Sequence, residues 1–229
     1  MLWTGPSAVS GLPPGLTLNS STGKITGTPT TAGTYSFTFK VTDSNGSTDT
    51  ATCTIIISKP YNTCSQYGYG SQPSGNNGGS TLKNNYSKVY SGGKVSIGSN
   101  NNLTWTNSNA VAGFMNNQGP NAVVTNNVTN PTNTSLSNQL AADVLALQLN
   151  VDFSNAGVTP SGFGNLKVQS GYLAGWSVQN VLNISNLALI FQNVLPGFVL
   201  DDLDDIVASI NNAFNTDAGG NAIVTGYVQ

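Results

Sequence analysis

The strongest constraint on the fold is the stretch TYSFTFKVTD at residues 34–43, in which apolar and polar residues alternate. The apolar residues that fall on one face of an extended chain are Tyr35, Phe37, Phe39 and Val41. Because side chains alternate between the two faces of a β-strand, this pattern predicts a strand with one buried face. The SNG motif that follows is typical of a tight hairpin turn, and TDTATCTIIIS predicts the returning strand.

The residues before this strand contain two short apolar runs within GLTLNSSTGKITG, followed by a Pro/Gly connection. Short strands at regular spacing predict an antiparallel β-sandwich over residues 1–58. Residues 11–57 resemble the cadherin-like, Ig-like repeats of bacterial surface proteins, which are marked by GLPPGLTLNSSTGxITGTPTTAGTYSFTVTVTDSNG. Members of that family carry a strand and an aromatic segment before GLPPGL. Only MLWTGPSAVS stands there, with Leu2 and Trp3 as the aromatic remnant, so the resemblance implies a sandwich lacking its first strand.

The charged residues of this chain of 229 residues are unusual in kind and number. All seven basic residues are Lys, all nine acidic residues are Asp, and there is no His, Glu or Arg. A Ser-His-Asp or Cys-His catalytic arrangement is therefore impossible, and so is a zinc site of the usual type. A net charge of −2 without Arg argues against nucleic-acid binding. Solubility that rests on Asn, Ser, Thr and Gly is typical of secreted bacterial surface proteins, which predicts an extracellular location at the cell surface.

Carboxylate chemistry is the remaining route to catalysis, because a glycosidase needs only two carboxylates. The candidates are Asp143, Asp152 and the cluster at residues 201–205. Acidic residues in the first turns of a helix are stabilised by the helix dipole, so we interpret the cluster as a helix start. The chain is predicted not to be an enzyme and to need no cofactor.

The remaining sequence predicts a second, α+β region. Residues 59–80, rich in Gly, Ser, Asn and Tyr, are predicted to be a linker or an ordered loop. Within residues 81–229, apolar spacings of three and four predict about three helices near the C-terminus, at residues 136–152, 177–194 and 200–215. The alternating NAIVTGYVQ then predicts a terminal strand at residues 221–228. No run of apolar residues is long enough to span a membrane.

This second region is similar to one family of exported proteins. CSQYGYG resembles the Cys-Thr-Tyr-Thr-Gln-Gly-Tyr segment that opens a domain in secreted proteins of Bacteroidota, and QLAADVLALQLNV and LDDLDDIVASINNAF resemble that family's helical part. The resemblance covers residues 64–215 and implies an export substrate or surface-layer component. A further cysteine often follows in that family and is missing here, which leaves Cys53 as the only partner for Cys64 within the chain. In an oxidising compartment these two residues would form a disulfide, and otherwise they are two unpaired thiols.

Two weaker sites follow from the turns and loops. Asp43, Asn45 and Asp49 supply oxygen ligands in the hairpin turn and are a weak candidate for structural Ca²⁺, against the alternative that they only shape the turn. A second set of residues is predicted to form a surface that binds a cell-surface glycan, or else to pack under a long loop. This set is Tyr61, Tyr67 and Tyr69.

A sandwich without its first strand exposes unpaired backbone groups. Residues 1–10, a later part of the chain, or a strand from another copy could complete it. The terminal strand favours donor-strand assembly between copies, with assembly residues Leu2, Trp3, Ala222, Ile223, Val224, Tyr227 and Val228. The leading hypothesis is a self-assembling, non-enzymatic subunit of a bacterial surface fibre (filament), sheath or matrix. The alternative is an adhesin-type module that binds glycan or a surface through the Ig-like and Tyr-rich loops, and a third is a fragment of a carbohydrate-active enzyme.

Overall fold

The computed structural model of the chain describes residues 3–57, 61–100, 103–191, 194–217, 223–224 and 227–229. Two compact units make up the chain, Met1–Lys59 and Pro60–Gln229. We call them the first unit and the second unit.

The first unit contains only β-strands among its described residues. They are β1 (Trp3–Ser10), β2 (Leu16–Leu18), β3 (Ile25–Gly27), β4 (Gly33–Asp43) and β5 (Thr48–Ile57). One antiparallel sheet has the order β1-β4-β5, and β2 and β3 form a separate antiparallel hairpin. The alternating stretch at residues 34–43 thus forms the central strand of the sheet, as its pattern predicts.

The strand that was expected to be missing is present. Strand β1 pairs with β4, with Trp3 opposite Asp43 and Ser10 opposite Thr38, and the register shifts between Thr4 and Ala8. Its sequence WTGPSAVS lacks the alternation of apolar and polar residues that predicts a strand, because Gly and Pro interrupt it. The prediction of a sheet without its first strand is therefore wrong.

Little of the first unit is buried. Among the side chains described there, Phe37 is 3% exposed and Pro13 is the other buried residue, while Tyr35, Phe39 and Val41 are only half-buried. Phe37 and Phe39 meet edge to face with ring centroids 5.0 Å apart. On the apolar face of the sheet, the side chains of β4 are thus buried or half-buried, whereas most of those of β5 are exposed to solvent.

The second unit combines helices with short strands. The helices are α1 (Gln66–Tyr69), α2 (Gly78–Val89), α3 (Ser108–Phe114), α4 (Gln139–Asn155), α5 (Val178–Ala188) and α6 (Leu200–Asn211), with a 3-10 turn at Phe163–Asn165. The strands are β6 (Val95–Ile97), β7 (Leu103–Trp105), β8 (Val128–Thr129), β9 (Phe214–Asn215) and β10 (Ile223–Val224). Strand β6 is antiparallel to β7, β7 is parallel to β8, and β9 is antiparallel to β10.

Helix α4 lies at the centre of the second unit, and 13 of its 17 residues are buried. Its sequence QLAADVLALQLNVDFSN carries small and apolar residues on every face, which is typical of a helix enclosed by neighbours. Helices α1, α5 and α6, strand β6 and the 3-10 turn all contact it. The helix is capped by Asn138, whose Oδ1 accepts a hydrogen bond from the Ala141 N–H at 3.1 Å.

Residues 61–80 do not form a linker. They contain α1 and the start of α2, and Cys64, Gln66 and Tyr69 are buried within the second unit. The last third holds α4, α5 and α6 where the apolar spacing places helices, with ends that differ by several residues from the predicted ones. Of the predicted terminal strand at 221–228, residues 223 and 224 form β10, and residues 221–222 and 225–226 lie outside the described residues. Among the described helices, none combines the length and the apolar character needed to cross a membrane.

Candidate functional site

The first unit presents one long strand edge, that of β5. Strand β5 pairs with β4 on one side, and no other described strand pairs with it. Residues 48–54 and Ile56 are exposed, and the Ile56 side chain retains 70% of its accessible surface. An edge of this kind offers its backbone N–H and C=O groups to another strand.

The hydrogen bonds of the hairpin show which backbone groups face outward. The Asp43 N–H donates to the Ser47 carbonyl at 2.8 Å, next to the pair Thr42 and Thr48 in the ladder. Hydrogen-bonded and non-hydrogen-bonded pairs alternate along an antiparallel ladder. Odd-numbered residues of β5 therefore bond to β4, and the outward-facing N–H and C=O groups belong to Thr48, Thr50, Thr52, Thr54 and Ile56.

The two faces of the sheet at this edge differ in chemistry. On one face, Ala51, Cys53 and Ile55 of β5 lie opposite the aromatic residues of β4. On the other face, hydroxyl groups pair across the strands: Thr38 and Thr52 oxygens are 3.0 Å apart, and Ser36 and Thr54 oxygens are 3.4 Å apart. The edge is thus apolar on one side and lined by hydroxyl groups on the other.

The edge of β5 lacks the features that usually prevent strands from pairing. Its sequence TDTATCTIII contains no Pro and no Lys, and Asp49 is its only charged residue. The opposite edge, β1, contains Pro6, which has no N–H group, and a register shift that disrupts pairing. Of the two edges of this sheet, only β5 is open to a further strand.

The calcium candidates lie in the turn beside this edge. Asp43 Oδ1 accepts hydrogen bonds from the N–H groups of Asn45 and Ser47, both at 2.8 Å. Asp49 Oδ1 accepts from the Thr50 N–H, also at 2.8 Å. Asp43 therefore shapes the turn, whereas Asp49 bonds to the backbone of the next residue of β5. Among the described residues, no group of three or more Asp or Cys side chains is arranged to hold a metal ion.

The C-terminal residues predicted to be a spare assembly strand are built into the second unit. Ile223 and Val224 form β10, which pairs with β9. Val228 is 1% exposed and forms an isolated bridge with Val168. The Tyr227 carbonyl accepts a hydrogen bond from a backbone N–H of the same unit at 3.0 Å. These residues are therefore not available as a donor strand.

The other predicted assembly residues either lie outside the described residues or belong to a paired strand. Leu2 and Ala222 lie outside the described residues. Trp3 begins β1 and pairs with β4 in the same chain. None of the described assembly residues is thus brought to an unpaired strand, and the open edge lies in β5, which the sequence analysis did not select.

The three tyrosines predicted to form a binding surface lie in different environments. Tyr69 is 1% exposed, and its hydroxyl donates to Asn150 Oδ1 at 2.8 Å. Tyr61 is half-buried and packs against Phe214, with ring centroids 5.3 Å apart. Tyr67 is 48% exposed. Only Tyr67 presents much of its ring to solvent, so the three do not form one binding surface.

The two cysteines are free thiols, Cys53 in the first unit and Cys64 in the second, and the predicted disulfide between them stays a prediction. Cys53 is exposed on β5, whereas Cys64 is buried in the second unit. Burial raises the pKa of the Cys64 thiol to about 12, opposed by the hydrogen bond from Thr216. Cys64 is therefore an unreactive thiol at neutral pH, because only the thiolate is a nucleophile.

A pair of buried carboxyl groups joins α4 to α6. Asp143 and Asp204, each 3% exposed, lie close enough for the charge of Asp204 to act on Asp143. Gln66 Nε2 donates to Asp143 Oδ2 and Gln139 Nε2 donates to Asp204 Oδ2, both at 2.9 Å. Asp204 Oδ1 is buried and has no donor unless the two groups share a proton.

The surroundings of this pair keep a proton in place. Burial, and after it the charge of Asp204, raise the pKa of Asp143 to about 8. Burial also raises the pKa of Asp204. Two carboxylates this close cannot both ionise without repulsion, so one proton is held at neutral pH. With 3% exposure, neither group can reach a substrate, and the pair is structural.

Comparison with known proteins identifies the first unit alone. Residues 3–58 match the family model described as Putative Ig domain. The match includes β1, in agreement with the strand that the structure shows there. No curated protein and no solved structure matches the chain significantly. The resemblance of residues 64–215 to secreted proteins of Bacteroidota finds no support in these comparisons.

Proposed function

We propose that the chain is a non-enzymatic extracellular structural protein whose copies associate through β-strand contacts in a bacterial surface fibre, sheath or matrix. The observation that carries this proposal is the open edge of β5. This edge replaces the terminal strand of the sequence-based hypothesis as the contact between copies.

The edge supports association because it lacks protection. Monomeric proteins blunt their edge strands with Pro, Lys, bulges or short length. Strand β5 is ten residues long, has one charge and ends in three consecutive Ile residues. Strands with high β-propensity, low charge and no Pro are the segments that pair between chains.

The shallow core of the first unit supports the same reading. Ala51 and Cys53 are exposed although they lie on the apolar face, whereas Phe37 on the neighbouring strand is buried. A second strand against β5 would extend this face and remove more apolar surface from water. The chain as a whole has a net charge of −2, so electrostatic repulsion between packed copies is small.

The test uses the full chain and two substitutions of one residue. The Thr52 N–H points away from β4, so Thr52→Pro removes an outward donor and keeps the bonds to β4. Thr52→Val is the matched control, because both variants lose the hydroxyl contact with Thr38 and only Pro loses the N–H. Assembly would be followed by sedimentation velocity over a concentration series and by electron microscopy.

We expect concentration-dependent assembly of the wild-type chain and of Thr52→Val, and its loss in Thr52→Pro. Ile56→Lys is a second edge variant whose side chain is exposed, so it tests the edge without altering the fold. A wild-type chain that stays monomeric at every concentration would refute the proposal. A monomer that binds a glycan array would instead favour the adhesin alternative.

A further inference from the structure

We infer that two copies pair edge to edge through antiparallel β5 strands, about a two-fold axis that passes beside Cys53. This inference rests on the proposed function and specifies the partner surface, which is the same strand of a second copy. A two-fold contact is the simplest way for the backbone groups of one edge to bond to the same edge of a second copy. In such a contact, residue i of one copy pairs with residue j of the other, and residue j pairs with residue i.

The outward backbone groups restrict the register. They belong to even-numbered residues from Thr48 to Ile56, so an even-numbered residue must face an even-numbered residue of the partner strand. Two registers meet this condition with nearly complete overlap of β5. One places Thr52 opposite its own copy, and the other places Cys53 opposite its own copy.

The apolar face selects between these two registers. With Thr52 on the axis, Ile55 would face the charged Asp49, and the small residues Ala51 and Cys53 would face each other across a gap. With Cys53 on the axis, the large Ile55 faces the small Ala51, and Asp49 faces Ile57, the last residue of β5, at the end of the contact. The second register keeps the charge at the rim and fills the apolar face, so it is the favoured one.

The pair has a defined extent. Residues 50, 52, 54 and 56 of each strand would form about six backbone hydrogen bonds with the partner, because the N–H of each Thr50 already donates to Asp49 Oδ1 at 2.8 Å. The combined sheet has six strands, with β1 at both outer edges. Because Pro6 and the register shift blunt β1, the sheet stops there. The contact thus joins two copies and closes, and growth of a larger assembly would use other surfaces.

Cys53 reports on the register directly. Its backbone bonds to β4, so the two Cys53 residues would form a non-hydrogen-bonded pair with Cα atoms about 4.5 Å apart. That separation lies within the range of a disulfide. Mild oxidation with copper phenanthroline would remove two electrons and two protons from the two thiols and form the bond. Cys53 is exposed, which gives the oxidant access.

The first experiment oxidises the full chain and analyses it on a non-reducing gel. We expect a covalent dimer from the wild type and from Cys64→Ser, and complete loss of it in Cys53→Ser. Thr52→Pro controls for random collision, because it keeps the Cys53 thiol and removes the paired edge. A covalent dimer that forms equally well in Thr52→Pro would overturn the inference.

The second experiment tests the register in a Cys53→Ser background. Ala51→Cys and Ile55→Cys chains should each stay uncrosslinked alone and should crosslink when mixed. Mixing the Ala51→Cys chain with the wild type tests the other register. A crosslink between Cys at position 51 and Cys53 of the wild type would place Thr52 on the axis and overturn the inference, while the proposed function would stand. Association of the wild type in sedimentation without any of these crosslinks would have the same meaning. A chain that never associates would refute both.

Discussion

The buried carboxyl pair makes a quantitative prediction for Asp143→Asn. Asn has the shape of a protonated Asp, so its Nδ2 can donate to Asp204 where the shared proton would lie, and its Oδ1 can accept from Gln66. The substitution thus keeps the hydrogen bonds and removes the titration. We expect the variant to be more stable than the wild type at neutral pH.

The magnitude follows from the pKa of Asp143, which burial raises from 3.8 to about 8 in the folded state. Between these two values the folded state holds a proton that the unfolded state has lost, so the contribution of Asp143 to wild-type stability is greatest below pH 3.8 and is lost as the pH rises to about 8. Each pH unit costs about 1.4 kcal/mol of the free energy of unfolding. At pH 7 the upper bound on the advantage of Asp143→Asn is about 4 kcal/mol.

Urea unfolding of the second unit at several pH values measures this advantage. In a Trp3→Phe background, the remaining tryptophans, Trp105 and Trp176, both belong to that unit. The difference between variant and wild type should be near zero at pH 4, grow to pH 8 and then level off. Asp205→Asn, exposed on the same helix as the partner carboxyl group, is the control and should change little. A difference that is independent of pH would refute the reasoning.

Three further predictions concern single side chains. Alkylation of the native protein should modify Cys53 and spare Cys64, since Cys64 is buried with a pKa of about 12. Modification of Cys64 at the rate of Cys53, seen by mass spectrometry of peptides, would contradict its burial. Asn150→Ala should destabilise the second unit by about 3 kcal/mol in thermal unfolding, because buried partners lose their hydrogen bonds, whereas Asn155→Ala at the exposed end of the same helix should be nearly neutral. Trp105→Ala should cost about 4 kcal/mol by circular dichroism, since the ring is 0% exposed; a loss below 1 kcal/mol would contradict its place in the core.

The local spacing of apolar residues was sufficient to predict the strands and helices in which these residues repeat at the strand or helix period. Strand β4 alternates strictly before an Asn-Gly turn, β5 alternates from Thr50 to Ile55 after it, and α6 carries apolar residues at helical spacing behind acidic residues in its first turn. In such segments the face to be buried can be read from a dozen residues. The same pattern says nothing about what covers that face, which is why the shallow core of the first unit was not foreseen.

The helices in the Asn-rich and Gly-rich part of the second unit had no such signal. Helix α2 begins at Gly78 and has few apolar residues, but Asn77 caps it by accepting the Ser80 N–H at 2.9 Å. Its buried residues Leu82 and Tyr86 supply the rest of its stability through packing. Polar helices of this kind depend on tertiary contacts, which no local window contains.

The pairing of Asp143 with Asp204 and the open edge of β5 were missed for a related reason, although both carboxyl groups were among the candidates. Asp143 and Asp204 are 61 residues apart, and only the packing of α4 on α6 brings them together. The open edge of β5 depends on the strand order β1-β4-β5, which places β4 in the centre and leaves β5 outside. Strand order is a property of the whole sheet, so the sequence of β5 alone does not reveal which of its sides is paired.

The contacts between the first and last segments of the second unit determine when this unit can finish folding. Its first described residues bond to the segment that follows its last helix: the Thr63 N–H donates to the Phe214 carbonyl at 3.0 Å, and the Ser65 N–H donates to Asp217 Oδ1 at 2.8 Å. These partners are 152 residues apart in the second case, so they cannot meet until nearly the whole unit has left the ribosome. The first segment of this unit therefore stays without these partners until residues 214–217 have been synthesised.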